Sequence, residues 1–234
     1  MSAQGPRSLV ALIAVAIIAA ACTSGETSLG PSRQASATSA TTSSASSPPL
    51  VQEGGAPLGP GTYTTVFQPK ITFTTDASWV SYTDTTDSVF FARPGSDGGV
   101  WFRRIDKVLD PTRVHELPVP TDYVDWIVSL PGAKVLASPK AVTVDGFAAT
   151  EIDVTATMDA PTVYCKDPCV ALWPLGPDAD FQGEVAALQP DWVSRIVAIR
   201  VHGETLEISC SVPVAEFETL ATDFDAVLQT IRFG

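Results

Sequence analysis

The clearest pattern of hydrophobic and polar positions lies at the C-terminal end of the chain. After Pro213, apolar residues recur at the three- and four-residue spacing of a helix. These residues are Phe217, Leu220, Ala221, Phe224, Leu228 and Ile231. Acidic residues occupy the other side, namely Glu216, Glu218, Asp223 and Asp225. The pattern predicts an amphipathic helix that packs its apolar stripe on a core and leaves its acidic face in solvent.

A second, shorter helix is predicted in the middle of the chain. Tyr123, Ile127 and Leu130 have helical spacing, Thr121 can cap the first turn, and Pro131-Gly132 ends the helix. The neighbouring aspartates favour the positive N-terminal end of such a helix.

Most of the remaining chain alternates with the two-residue period of strands. Val142–Phe147 contains Asp145-Gly146, a typical type I′ hairpin turn, and Val193–Val201 pairs with Thr205–Val212 across a second turn. Shorter strands are predicted at Tyr63–Phe67, Ile71–Thr75, Trp79–Tyr82, Val89–Ala92 and Val100–Val108. The fold class is therefore α+β, with a mostly antiparallel sheet and two main helices.

The N-terminus has the parts of a secretory signal. Arg7 precedes the apolar run Leu9–Ala21, which is too short for a spanning helix of roughly 20 residues. Ile18–Cys22 resembles a bacterial lipobox, which implies cleavage after residue 21 and attachment of acyl chains such as palmitate to Cys22. The alternative is an ordinary signal peptide cut near the same alanines. The lipobox reading predicts an extracytoplasmic protein that is lipid-anchored to the cell membrane.

The composition changes after Cys22. Residues 22–58 are dense in Ser, Thr, Ala, Gly and Pro without an apolar period, so they cannot offset their ordering entropy and are predicted to form a disordered tether. The tether is either a bare spacer or an O-glycosylated stalk. Residues 59–234 form a single predicted globular domain.

Three cysteines remain besides Cys22. Cys165 and Cys169 flank Lys-Asp-Pro, a turn sequence that allows a disulfide in an oxidising compartment. Cys210 shares one strand face with Leu206, Ile208 and Val212, opposite a polar face of Thr205, Glu207, Ser209 and Ser211. We therefore expect a Cys165–Cys169 bridge and a buried Cys210 thiol. The alternatives are a bridge from the loop to Cys210 and a redox or metal role.

The net charge of −12 argues against nucleic acid as a partner. No cofactor or metal motif is present, and neither His115 nor His202 lies in a recognisable triad sequence. Acidic loop residues are expected to be solvated rather than to bind calcium, namely Asp84, Asp87, Asp97, Asp178 and Asp180.

The aromatic residues suggest where a recognition surface could lie. Trp79 and Trp101 fall in predicted strands and are expected in the core, and Trp126 at its edge. The long loop Leu175–Pro190 is of a length that is often functional. The candidate recognition surface around it consists of Tyr164, Trp173, Phe181 and Trp192. The alternative is that these residues only pack.

Three parts of the domain carry a family resemblance. They are Gly61–Pro69 with Ile71–Trp79, Val142–Phe147, and Asp225–Phe233. They resemble secreted and lipoprotein domains of unknown function from actinobacteria and similar bacteria. They are also similar to the Mog1/PsbP-like α/β/α sandwich shared by some mycobacterial lipoproteins. The resemblance implies an accessory or binding module and supplies no catalytic residues.

These observations lead to one expectation and two alternatives. We expect a non-enzymatic cell-envelope lipoprotein that binds an envelope protein or a small molecule and needs no cofactor. The first alternative is an envelope hydrolase that uses carboxylates of the Asp178–Trp192 loop. The second is a structural or stress-related accessory subunit without a ligand.

Overall fold

The computed structural model describes residues 55–76, 78–175 and 185–234. Cys22, most of the predicted tether and Phe181 lie outside the described residues. In the part that is described, neither helix is long and apolar enough to cross a membrane.

The described chain contains fifteen strands and two α-helices. In chain order the elements are β1 (Ala56–Leu58), β2 (Gly61–Thr64), β3 (Ile71–Thr75), β4 (Trp79–Asp84), β5 (Ser88–Ala92), β6 (Gly99–Arg104), β7 (Lys107–Leu109), β8 (Glu116–Pro118), α1 (Tyr123–Ser129), β9 (Ala133–Val144), β10 (Phe147–Ala156), β11 (Val170–Pro174), β12 (Val185–Leu188), β13 (Trp192–Val201), β14 (Glu204–Pro213), a 3-10 turn (Val214–Glu216), α2 (Phe217–Thr230) and β15 (Arg232–Phe233). The predicted α+β class with a mostly antiparallel sheet and two helices is confirmed.

An eight-stranded antiparallel sheet forms the centre, in the order β1-β4-β5-β6-β14-β13-β10-β9. The β9–β10 hairpin turns at Asp145 and Gly146, whose φ angles of 49° and 83° are those of the predicted type I′ turn. The β13–β14 hairpin turns at His202 and Gly203 with the same signs of φ. Both hairpins therefore follow from their turn sequences.

One face of the sheet is covered by α2 and by the small sheet β15-β3-β2. The buried residues of the helix are Phe217, Leu220, Ala221, Phe224 and Val227, followed by Ile231 just after its end. Leu228, predicted in this stripe, is half-buried and packs against the same core. Val227 is buried beside it, because a residue three positions after Phe224 and four before Ile231 also satisfies the helical spacing.

The polar side of α2 is not simply solvated, contrary to the prediction. Asp225 accepts hydrogen bonds of 2.9 and 3.0 Å from Nη1 of Arg195 in β13. The same guanidinium donates two further hydrogen bonds to Asp153 of β10. The hydrogen bonds to Asp153 raise the pKa of Arg195 above its usual range. Arg93 donates to Asp223 over 2.7 Å. Two arginines from the sheet side of the molecule thus hold the helix by charge-assisted hydrogen bonds.

The opposite face of the sheet is covered by α1 and by two short hairpins, β7–β8 and β11–β12. They bury a second core, which includes Val108, Ile127, Ile152, Leu172 and Ile196. The sheet is therefore packed on both faces, and its central strands carry buried side chains on both.

Several predicted boundaries are corrected by the structure. Asp122, not Thr121, caps α1, because its side chain accepts the Asp125 amide proton over 3.1 Å. The tether was predicted to reach residue 58, but Ala56–Leu58 forms the edge strand β1 with Leu58 buried. Proline at position 57 is compatible with this position, because an edge strand leaves some amide positions without a ladder partner.

A segment predicted as a loop also contains a strand. The loop Leu175–Pro190 contains β12. The predicted strand Val100–Val108 is divided into β6 and β7, and Tyr63–Phe67 is shifted to β2 at Gly61–Thr64. Strands of three or four residues are too short to show a period, so pairing with a partner decides them.

Candidate functional site

A cavity of about 290 Å³ lies where the second face of the sheet meets the β11–β12 hairpin. Strands β6, β14 and β13 supply one side of its lining and the hairpin supplies the other. We call it the tryptophan cavity after Trp101, Trp173 and Trp192, which all line it.

The hollow follows from the sizes of neighbouring side chains on the sheet. Phe90 of β5 pairs with Trp101 of β6, and their rings stack with centroids 4.3 Å apart. The next residue across, in β14, is Ser209, and Ser211 and Ser194 pair beside it. Two large rings are thus followed by small hydroxyl side chains, which leave space above the central strands. Phe90 covers one face of the Trp101 indole, and Trp101 lines the hollow together with these serines.

Glu207 is the most unusual residue of the lining, because an acidic residue is here only 3 % exposed. Its Oε2 accepts hydrogen bonds from the Tyr123 hydroxyl over 2.8 Å and from Nε1 of Trp173 over 3.2 Å. Its Oε1 accepts one from Ser209 Oγ over 2.9 Å. Donors from α1, β11 and β14 therefore fix the carboxylate, which offsets the loss of its hydration.

The buried position of Glu207 affects the pKa of its hydrogen-bond partner Tyr123. Burial, together with the negative charge of Glu207, raises the pKa of the Tyr123 hydroxyl well above its usual value. The hydroxyl is therefore a hydrogen-bond donor at any physiological pH.

Arg103 pairs with Glu207 across β6 and β14. Its guanidinium lies over the Trp173 ring, 4.3 Å from the centroid, and its buried Nε has no hydrogen-bond partner among the described residues. Burial lowers the pKa of Arg103, and the charges of Glu207 and Asp87 oppose that shift. Arg103 lines a neighbouring cavity of about 270 Å³ with Trp173 and Leu175, and it does not line the tryptophan cavity.

The structure brings together part of the predicted recognition surface. Trp173 and Trp192 share the tryptophan cavity, whereas Phe181 lies outside the described residues. Tyr164 is elsewhere: it is buried beside Leu109 and Ala171, and its hydroxyl accepts the His115 amide proton over 3.1 Å. Tyr164 therefore has a packing role and is separate from the other two residues.

Sequence reasoning missed the residues on the central strands. Trp101 was expected in the core but is half-buried and lines the cavity. Glu207 and Ser209 were expected on a polar face, yet both are buried. No local signal could have found them, because pairing places β14 inside the sheet, whereas α1 and the β11–β12 hairpin, distant in sequence, cover its polar face.

The predicted disulfide between Cys165 and Cys169 is present, just before β11. Cys210 is free and buried, and burial raises the pKa of its thiol to about 12. The disulfide lies in the segment just before β11, the first strand of the hairpin that lines the tryptophan cavity.

Other candidate chemistry lies away from this cavity. The described residues contain no group of three or more acidic, histidine or cysteine side chains that could hold a metal ion. Nε2 of His115 lies 3.5 Å from Oδ2 of Asp110 in the turn between β7 and β8, and His202 lies in the β13–β14 turn. Asp84 was expected to be solvated but is buried. The described carboxylates of the tryptophan cavity are Glu207 and Asp97, and Asp97 is exposed.

Comparison with models of protein families finds no match, and a search of curated proteins finds none. Solved structures do show similarity. A cyanobacterial PsbP from Synechocystis has a TM-score of 0.39 and 12% identity, covering 79% of this chain and 99% of its own. LpqN from Mycobacterium tuberculosis, described as involved in cell envelope biogenesis, has a TM-score of 0.29 and 12% identity, covering 76% and 84%.

A protein from Bacteroides thetaiotaomicron gives a TM-score of 0.36 at 12% identity over 70% of this chain, which spans 45% of the length of that protein. The PsbP and LpqN structures are of the two kinds named by the sequence resemblance. These similarities concern the fold alone.

Proposed function

We propose that this chain is a lipid-anchored, extracytoplasmic binding module that holds a small molecule in the tryptophan cavity and catalyses no reaction. The observation that carries the proposal is the buried Glu207 carboxylate, fixed by Tyr123, Trp173 and Ser209 at a cavity lined by three tryptophans.

The lining has the composition of a ligand site. Such sites are mostly apolar and aromatic, with a few polar groups held in place, and occupy roughly 300–1,000 Å³. The cavity of about 290 Å³ is at the small end of that range. Its wall includes Leu172, Leu188 and Ile196 beside the tryptophans, and its buried polar groups include Glu207 and Ser209, which lie on β14 in the centre of the sheet. We infer a ligand of small size that fits into a preorganised site.

The location rests on the N-terminal sequence. The lipobox-like Ile18–Cys22 supports an anchor in the cell membrane, and the Ser/Thr/Pro-rich stretch after it supports a tether. The Cys165–Cys169 disulfide fits an oxidising compartment outside the cytoplasm.

The ligand can be sought by mass spectrometry of small molecules released from the protein after purification from its own envelope. We expect a compound from the wild type and none from Ala186→Phe, because position 186 is half-buried in the lining and a phenyl ring would occupy the cavity. Ala215→Phe is the matched control, since Ala215 is exposed and outside the lining.

Two outcomes would contradict the proposal. Release of the same compounds from all three proteins, or from none, would argue against the tryptophan cavity as a ligand site. Chemical conversion of the released compound by the purified protein would argue against a purely binding role.

A further inference from the structure

The tryptophan cavity has a marked imbalance of charge. Its described lining contains the carboxylates of Glu207 and Asp97 but no lysine, arginine or histidine. The nearest arginine, Arg103, lies over Trp173 and faces the neighbouring cavity. A ligand in the tryptophan cavity therefore meets negative groups without a competing cation in the described wall.

The hydrogen bonds to Glu207 bring no cationic group to it. All three donors are neutral groups, a phenol, an indole and a hydroxyl, and no ion pair to Glu207 is formed within the described part of the chain. Arg103 offsets part of this charge at a distance, as the opposing effects on its own pKa show. Asp97 adds a second negative charge at the exposed part of the lining.

The indole rings provide the complementary surface. The face of an aromatic ring is electronegative and attracts cations, and tryptophan is the strongest of the aromatic residues in this respect. Trp173 already attracts the Arg103 guanidinium at 4.3 Å. Trp101 has one face covered by Phe90 and lines the cavity. Several indoles around carboxylates form the arrangement that binds quaternary ammonium groups.

We propose, on the basis of the binding function proposed above, that the ligand of the tryptophan cavity carries a small quaternary ammonium group. An anion would be repelled by Glu207 and Asp97. A neutral ligand would remove water from the exposed Asp97 carboxylate without replacing its stabilising effect. A quaternary ammonium ion has an apolar surface that suits Leu172, Leu188 and Ile196 and a charge that suits the carboxylates and indoles.

The test compares two ligands of nearly equal shape that differ in charge. Choline and its neutral carbon isostere, 3,3-dimethylbutan-1-ol, are titrated by calorimetry into the full chain in a non-ionic detergent. We expect choline to bind about tenfold to thirtyfold more tightly, the range of a cation–π contact shielded from water.

Two variants assign the preference to the cavity. Trp101→Leu keeps an apolar wall but removes an indole face, so it should weaken choline binding while changing the binding of the isostere little. Asp97→Asn should weaken choline binding about threefold, as expected for a partly screened charge. Asp76→Asn makes the same charge change at an exposed residue outside the lining and should leave binding unchanged.

Equal binding of the two ligands would overturn the ammonium inference and leave the binding function standing. Failure of both to bind would also overturn it. In that case the compound released from the wild type in the mass-spectrometric experiment would show whether the cavity binds a different class of ligand. Release of no compound in that experiment would remove the binding function as well.

Discussion

Individual polar residues in this protein are buried where sequence patterns place them in solvent. Asp84 ends β4 with no measurable exposure; its Oδ1 accepts the Val66 amide proton over 3.0 Å, and its Oδ2 has no partner among the described residues. Burial raises the pKa of Asp84 from 3.8 to about 6, and the Val66 hydrogen bond opposes this only in part. The ionised side chain is therefore a destabilising group at neutral pH.

The sign of the effect follows from proton linkage. A carboxyl group with a raised pKa binds its proton more tightly in the folded state, so its contribution to stability increases as the pH falls from above 6 toward 3.8. Relative to wild type, Asp84→Asn should gain about 2 kcal/mol in free energy of unfolding between pH 4.5 and pH 7.5. Urea unfolding at several pH values measures this difference. Asp76→Asn, at an exposed site, should show no such trend, and a trend equally absent from Asp84→Asn would contradict the burial of this charge.

At the scale of elements, α2 packs on the core through one side and forms hydrogen-bonded ion pairs with Arg93 and Arg195 through the other. Phe224 is fully buried in the middle of its stripe, while Glu218 is exposed. Phe224→Ala should lower the free energy of unfolding by about 3–5 kcal/mol, the usual range for a buried phenylalanine. Glu218→Ala should change it by less than about 0.5 kcal/mol.

Urea unfolding of both α2 variants, each combined with Cys22→Ala to avoid lipidation, measures the two values. If the N-terminal segment is removed for this measurement, the shortened protein should retain residues 56–58, because they form strand β1 of the sheet. Similarly small losses for the two variants would mean that the stripe does not pack as described.

At the scale of the whole molecule, the lipobox-like sequence Ile18–Cys22 predicts that the protein is anchored to the membrane through Cys22. We expect metabolic labelling with a clickable fatty acid to mark the wild type at Cys22 and to leave Cys22→Ala unlabelled, because the thiol is the acceptor of the acyl chains. Cys210→Ala is the control, since that thiol is buried and should not affect labelling. Equal labelling of the wild type and Cys22→Ala would leave an ordinary cleaved signal peptide as the better interpretation.

Local sequence alone determined the features that depend on neighbours along the chain. The Asp145-Gly146 turn was predictable because few residues adopt two successive positive φ angles. Helix α2 was predictable because apolar residues recur at helical spacing along its fourteen residues. The Cys165–Cys169 bridge was predictable because five residues that include a turn bring the two thiols together. The burial of Cys210 followed from the alternation of its strand.

Tertiary structure alone decided the candidate site. Glu207 and Ser209 are buried because β11, β12 and α1, distant in sequence, cover the polar face of β14. Trp101 is only half-buried, because the serines next to it on this face of the sheet are too small to cover its ring. Alternation assigns a side chain to one of two faces, but what covers each face is set by contacts between distant segments. The charge, rings and space of the cavity therefore arise from a juxtaposition that no local pattern encodes.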